Sequence, residues 1–186
     1  ISQKTDYPWN GQVVFTINPE KESEFGIKLR IPGWVRNDVL PGDLYSYLNT
    51  PTLKATIKIN GEVVPVKEEN GYFKISRTWK LQDTIVLNFP MEVKEVITST
   101  KVEENKEKVA LEYGPIVYAI EEFDNKNNFD AIDITSNDTF KVTKENNLLE
   151  GVNTIQNDKL KAIPYYAWSN RGVGKMKVWI DYKEQK

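Results

Sequence analysis

The amino-acid sequence predicts an all-β protein, an antiparallel β-sandwich arranged as two sandwich-like units in tandem. Three observations carry that prediction. Apolar residues recur with a period of two, most clearly at Phe25, Ile27, Leu29 and Ile31, which alternate with Gly26, Lys28 and Arg30; this is the period of a half-buried strand. Turn signals such as Pro32-Gly33, Asn60-Gly61 and Asn70-Gly71 separate these runs, and short strands at that spacing belong to sandwiches and barrels. No stretch sustains a period of 3.6, so little helix is expected.

In chain order, Tyr7-Pro8-Trp9-Asn10-Gly11 reads as a turn entering a strand, because proline fixes φ and Asn-Gly tolerates left-handed angles. Val13, Phe15 and Ile17 then alternate with Val14 and Thr16 until Asn18-Pro19. After the strand through Ile31, residues Val39–Pro51 read as a loop, punctuated by Pro41-Gly42 and Asn49-Thr50-Pro51. Ala55, Ile57 and Ile59 lead to Asn60-Gly61, followed by Val64 and Val66. A type I′ turn needs φ > 0 twice, which Asn-Gly supplies, so this is a two-residue hairpin with Ile57 opposite Val64. Pro65 places its strand at a sheet edge. Phe73 and Ile75 run towards Trp79; Gln82-Asp83 then turns into Ile85, Leu87 and Phe89, and Pro90 ends that strand.

Lys94–Lys108 is charged, with Glu103-Glu104-Asn105-Lys106-Glu107-Lys108 at its end. Two readings stay open for it: a connection between units 1–93 and 109–186, or a solvated hairpin tip inside one domain. Beyond it lies Val109–Asp124, the stretch around which the chain is organised. Its runs Val109–Leu111 and Ile116–Ile120 flank Gly114-Pro115, and the second run reads as a strand buried on both faces, stopped by Glu121-Glu122. Ala131–Ile134, Phe140–Thr143 and Val152–Ile155 are weaker strands, with a turn at Asn146–Gly151. Leu160–Tyr166 leads into Trp168, and Ser169–Gly174 reads as a hairpin loop returning through Met176, Val178 and Ile180.

Composition narrows the function. With 39% hydrophobic and 28% charged residues in 186, this is a globular composition with length enough for a core. Net charge is -2 and the isoelectric point about 5.4, with Lys and Glu interspersed; a nucleic-acid surface would need a basic stripe. No apolar run approaches the ~20 residues of a membrane-spanning helix. Ile1 begins directly in strand-like sequence, so a signal peptide is not expected in this stretch. The compartment stays open, periplasmic or secreted being the nearest expectation.

Candidate chemistry is sparse. Zero cysteines remove disulfides and thiol catalysis, and zero histidines remove the commonest general base and metal ligand. No catalytic residue, metal or cofactor is expected. Paired carboxylates could still make a glycosidase, and the clusters Glu121, Glu122, Asp124 and Asp38, Asp43 are the candidates for it. Neither has a companion that would tune it, and both read as solvated loop acids. Of five tryptophans, Trp79 and Trp179 lie in strand patterns and read as packing. Trp34 and Trp168 follow Pro-containing turns; with Arg171 they are the candidates for contact with carbohydrate or with another domain. Ser169–Lys175 (SNRGVGK) resembles a phosphate loop superficially, but lacks the hydroxyl after Lys and precedes a strand rather than a helix.

Seven segments occur in an order that resembles a known family: QKTDYPWNG, LRIPGWVRN, LPGDLYSY, INGEVV, NGYFKISRTW, ALEYGPIVYAIE and AIPYYAWSNRGVGKMKVWI. From about Gln3 to Ile180 the chain is similar to the C-terminal portion of the β-L-arabinofuranosidase family, glycoside hydrolase family 127 and its close relatives. The resemblance implies β-sandwich domains that follow an upstream (α/α) barrel. That barrel would carry a cysteine nucleophile, a cysteine-bound zinc ion and a glutamate. This chain has no cysteine to receive those roles, so it would begin just after the barrel. The implied function is a non-catalytic region that supports the barrel or its dimer contacts; the alternative is a carbohydrate-binding module. The implied partners are the upstream barrel of the same polypeptide, a second copy in a homodimer, and a plant-type glycan. One departure stands out: Gln82 occupies the position where the Trp-x-x-Gly-Asp pattern before Ile85 has glycine.

Overall fold

A computed structural model describes residues 1–49, 53–65, 67–126 and 128–184. Its strands, in chain order, begin with β1 (Ser2–Thr5), β2 (Gln12–Ile17), β3 (Ser23–Arg30), β4 (Tyr45–Tyr47), β5 (Thr56–Ile59) and β6 (Glu62–Val63). Next come β7 (Glu68–Glu69), β8 (Tyr72–Trp79), β9 (Asp83–Asn88), β10 (Val93–Thr98), β11 (Lys108–Tyr113) and β12 (Ile116–Glu121). The last are β13 (Asp133–Thr135), β14 (Lys141–Glu145), β15 (Val152–Gln156), β16 (Lys161–Pro164), β17 (Met176–Lys177) and β18 (Ile180–Lys183). The only helical pieces among the described residues are 3-10 turns of three or four residues. The all-β expectation holds.

The chain divides into two units. The first comprises Ile1–Asp38 and Pro51–Met91, the second Val39–Thr50 and Glu92–Lys186. In the first, a five-stranded sheet (β1-β2-β9-β5-β6) and a three-stranded sheet (β3-β8-β7) enclose one core. Period-two alternation supplies that core: Ile57 and Ile59 from β5, Phe73, Ile75 and Trp79 from β8, Ile85 and Leu87 from β9 are all buried. The Trp79 indole donates to the Phe25 carbonyl at 3.0 Å, so its polar atom is satisfied inside the core.

Asn60-Gly61 forms the expected hairpin. Both residues have positive φ, 49° and 89°, and Ile59 faces Glu62 across the turn. Val64 donates to the Ile57 carbonyl at 3.0 Å, and β6 is an edge strand, as Pro65 implies. Val66 of the expected strand lies outside the described residues. At Gly11 the sequence has no alternative: a Cβ there would sit 2.0 Å from the Phe89 carbonyl oxygen, where β2 and β9 come together.

In the second unit the strands form one branched sheet around a separate core. Residues 94–108 are an arm and tip of the β10–β11 hairpin, with Lys94 opposite Glu112 and Val96 opposite Ala110. β12 is the central strand that its composition suggests, with Tyr118, Ala119, Ile120 and Glu121 buried in succession. One expectation needs correction. The stretch read as a loop at Val39–Pro51 contains β4, whose three residues pair with the free edge of β10. It is too short for alternation to show. β13 and β18 pair in parallel, the one parallel ladder among the described residues.

Candidate functional site

The three residues expected to make contacts separate. Trp34 lies in the 3-10 turn Gly33–Arg36 and is only 7% exposed. Pro32-Gly33 turns the chain so that the indole folds back into the first core. There it stacks on Tyr7, with centroids 6.5 Å apart, meets Phe89 edge-on, and donates to the Tyr7 hydroxyl at 3.2 Å. The indole therefore packs within the first core rather than offering a ring face to a ligand.

Trp168 and Arg171 share the segment between β16 and β17. The sequence reads this segment as a hairpin loop, and the structure corrects that. Ile120 of β12 faces Ala162 of β16 on one edge and Lys177 of β17 on the other, both antiparallel. Residues 165–175 therefore cross over β12 from one edge to the other. The crossover opens with the 3-10 turn Tyr165–Ala167, and Ser169 adopts φ 65° within it.

What fixes the crossover is a set of ion pairs at the end of β12. Glu121 is 5% exposed. One of its oxygens accepts the Ser169 N–H at 2.7 Å and the other takes Arg171 Nη2 at 2.6 Å. The same guanidinium forks onto both oxygens of Asp124. Lys161 reaches Asp124 at 3.3 Å and Glu145 at 3.2 Å, so three carboxylates meet two cations. Asn125 ties the backbone beneath, donating to the carbonyls of Glu121 and Lys161 and accepting the Lys161 N–H at 2.9 Å. Glu122 closes the far side, accepting the Lys175 N–H at 3.1 Å. Arg171 also covers the Phe123 ring at 4.6 Å from its centroid.

Glu121 and Asp124 are thus not the solvated acids that their place after a strand suggests. Their companion, Arg171, stands 50 and 47 residues away in the chain, a separation that leaves no local signal. Both carboxylates are spent on Arg171, Lys161 and a backbone amide, so the arrangement positions a loop rather than moving protons. A polar cleft of about 750 Å³ opens beside Asp124 and Lys161, lined also by Lys126, Gln156 and Lys159.

The loop so held presents Tyr165, Tyr166 and Trp168, exposed by 47%, 52% and 42%. Sequence reasoning singled out only Trp168; the run of aromatics in PYYAW was the available signal for the other two. Tyr118 of β12 is buried, its hydroxyl without a hydrogen-bond partner. Burial, then the neighbouring Tyr166 and Tyr113, push its phenol well above the usual range. The residues present do not fit the zinc that the family resemblance implies for the barrel. The chain has no cysteine or histidine, and no acidic group among the described residues is clustered to hold a metal.

Comparison with known proteins agrees with the motifs. Residues 1–91 match the family model described as beta-L-arabinofuranosidase, GH127 middle domain, and residues 93–181 match the glycoside hydrolase family 127 C-terminal domain. A non-reducing end β-L-arabinofuranosidase of Bifidobacterium longum subsp. longum is 26% identical over 96% of this chain and 30% of its own length. The solved structure of a GH127 β-arabinofuranosidase is 40% identical with a TM-score of 0.89, covering 97% of this chain and 31% of that protein. A GH127 β-L-arabinofuranosidase from Geobacillus stearothermophilus T6 is 36% identical with a TM-score of 0.82, over 97% and 30% respectively. The chain spans only about a third of the length of these relatives. It belongs to glycoside hydrolase family 127, of which it carries the middle domain followed by the C-terminal domain.

Proposed function

We propose that this chain is the non-catalytic β region of a β-L-arabinofuranosidase-like glycoside hydrolase, supporting a catalytic barrel upstream in the same polypeptide or the contacts of its dimer. One observation carries the reading. Two consecutive domains of one glycosidase family account for residues 1–91 and 93–181, yet the chain amounts to 30% of the Bifidobacterium relative. The chemistry of the chain is in keeping: the carboxylates nearest to a catalytic pair are bound to Arg171, and no cysteine or histidine is present.

The test assays the isolated chain on aryl β-L-arabinofuranosides, with and without zinc, beside the longer polypeptide. Turnover confined to the longer protein is the expected result. Turnover by the chain alone, lost in Glu121→Gln or Glu122→Gln, would overturn the reading. A second reading, a carbohydrate-binding module, is favoured by the exposure of Trp168 and its two tyrosine neighbours. Saturable binding of arabinofuranosyl oligosaccharides to the isolated chain, lost in Trp168→Ala, would select it.

A further inference from the structure

We infer that the aromatic crossover loop, through Tyr165, Tyr166 and Trp168, is the surface on which the C-terminal domain docks the further domain that precedes both matched domains in the same polypeptide. The inference deepens the proposed accessory role and rests on it.

Three rings within four residues stand about half exposed on one short segment. Scattered surface aromatics need no explanation, but a contiguous group on a fixed segment marks an interaction site. The segment is fixed, because Glu121 holds the Ser169 amide and the Arg171 guanidinium while Glu122 holds the Lys175 amide. Docking such a loop costs little ordering entropy, since the network has already met that cost within the fold. Tyr and Trp are also the side chains that dominate protein interfaces, being large, rigid and amphipathic.

The same hydrogen bonds argue for a protein partner over a sugar. A sugar platform pairs a ring face with polar side chains that converge on the ligand's hydroxyls. Here the donors beside the rings are engaged within the loop, although Ser169 and Asn170 are themselves exposed. Asn170 donates to the carbonyls of Ala167 and Trp168, Ser169 N–H is on Glu121, and Arg171 is on Glu121 and Asp124. What faces outward is ring surface flanked by Ser169 and Asn170, a mixture of apolar area and polar rim that suits a protein face. The occupant follows from length: the relatives are about three times as long as this chain, and its two matched domains are a middle and a C-terminal one. A further domain therefore precedes them in such proteins.

The experiment is hydroxyl-radical footprinting, read by mass spectrometry, of the 186-residue chain and of the longer natural polypeptide. Modification of Tyr165, Tyr166 and Trp168 is expected to fall at least about five-fold in the longer protein, as for residues excluded from water in an interface core. Equal modification in the two proteins overturns the inference. Protection that appears in the isolated chain as its concentration rises overturns it in favour of a second copy. Protection of the isolated chain by arabinofuranosyl oligosaccharides overturns it in favour of a sugar platform. Glycosidase activity, measured on the same longer protein, separates the two proposals. Activity with unprotected rings rejects only the docking surface; protected rings without activity reject only the enzymatic reading.

Discussion

Two buried carboxylates, one in each unit, do the same kind of work in opposite ways. Asp83 begins β9 and joins its own turn to the Asn60 turn 23 residues back. It accepts the Lys80 N–H and the Asn60 side-chain amide, each at 2.9 Å, while Asn60 in turn accepts the Thr84 N–H at 2.8 Å. Glu121 ends β12 and holds a loop that arrives about 50 residues later, through a charged partner. The first is neutral-donor turn chemistry at a hairpin end, and its loss would loosen one corner. The second is a buried ion pair whose members cannot be removed singly without stranding a charge. The comparison predicts that the second unit has the more brittle joint.

Removing Arg171 is the largest way to test that contrast. Arg171→Ala leaves Glu121 and Asp124 facing each other in a nearly buried site, with Lys161 alone beside them. The loss should be about 3–5 kcal/mol, read as a lower denaturant midpoint for the second unit. A loss below about 1 kcal/mol, the size of an exposed pair, would show that water reaches the site freely and that the joint is not brittle.

The corresponding break in the first unit is at its turn. Gly61 has φ 89°, with open space where a Cβ would go, so a substitution there meets backbone strain rather than a clash. Gly61→Val should cost about 1–2 kcal/mol, since a β-branched residue resists the left-handed region. An unchanged midpoint would mean that the hairpin re-forms around another turn type, and that Asp83 alone sets the corner.

How much of each region was legible follows from the range of its contacts. Asn60-Gly61, the alternation through β3, β8 and β9, and the buried run of β12 are local patterns, and they read directly as turn and strands. The Arg171 network does not, because nothing near Glu121 or Asp124 in the chain announces a cation from the far side of β12. The crossover is hidden for the same reason: a loop between two strand-like runs looks like a hairpin until both strands are seen to pair with a third. The burial of Trp34 is not legible, because a Pro-Gly turn says where the chain bends, not towards which side. The short β4 escaped because three residues cannot display a period. The aromatic run Tyr165–Trp168 was visible as composition, but its exposure depends on the network that holds it.

Acid separates the regions in a third, smaller way. The Lys80 amide and then the Asn60 side chain hold the Asp83 carboxyl below its ordinary value. Its folded pKa is thus lower than its unfolded one. The stability it contributes is fully present above the unfolded value of about 3.9 and is lost as pH falls through the folded value. Asp83→Asn should accordingly lie below the parent in stability at pH 7, and the gap should narrow in the acid window below about pH 4. A gap that stays constant down to pH 2 would show that the charge on Asp83 contributes nothing and that shape alone matters there.

The smallest expected effect is a gain, at Gln82, where the resemblance leads one to expect glycine. Gln82 adopts φ 67° one position before Asp83, the left-handed conformation that the pattern's glycine would take without strain. For a residue with a Cβ, that conformation costs roughly 1–2 kcal/mol. Glycine gives back about 0.5–1 kcal/mol of this through its greater freedom in the unfolded chain. The side chain offsets some strain by donating Nε2–H to Asn18 Oδ1 at 3.1 Å, but that bond is exposed and competes with water. The backbone N–H of Gln82 reaches the same oxygen at 3.1 Å and survives the change. Gln82→Gly should therefore stabilise the first unit by about 0.5 kcal/mol, the strain relieved slightly exceeding what is lost. The denaturant midpoint should rise with its slope unchanged. A fall in midpoint would mean that the Asn18 contact outweighs the strain, and that the turn before Asp83 is held by its side chains as firmly as the crossover before β17 is.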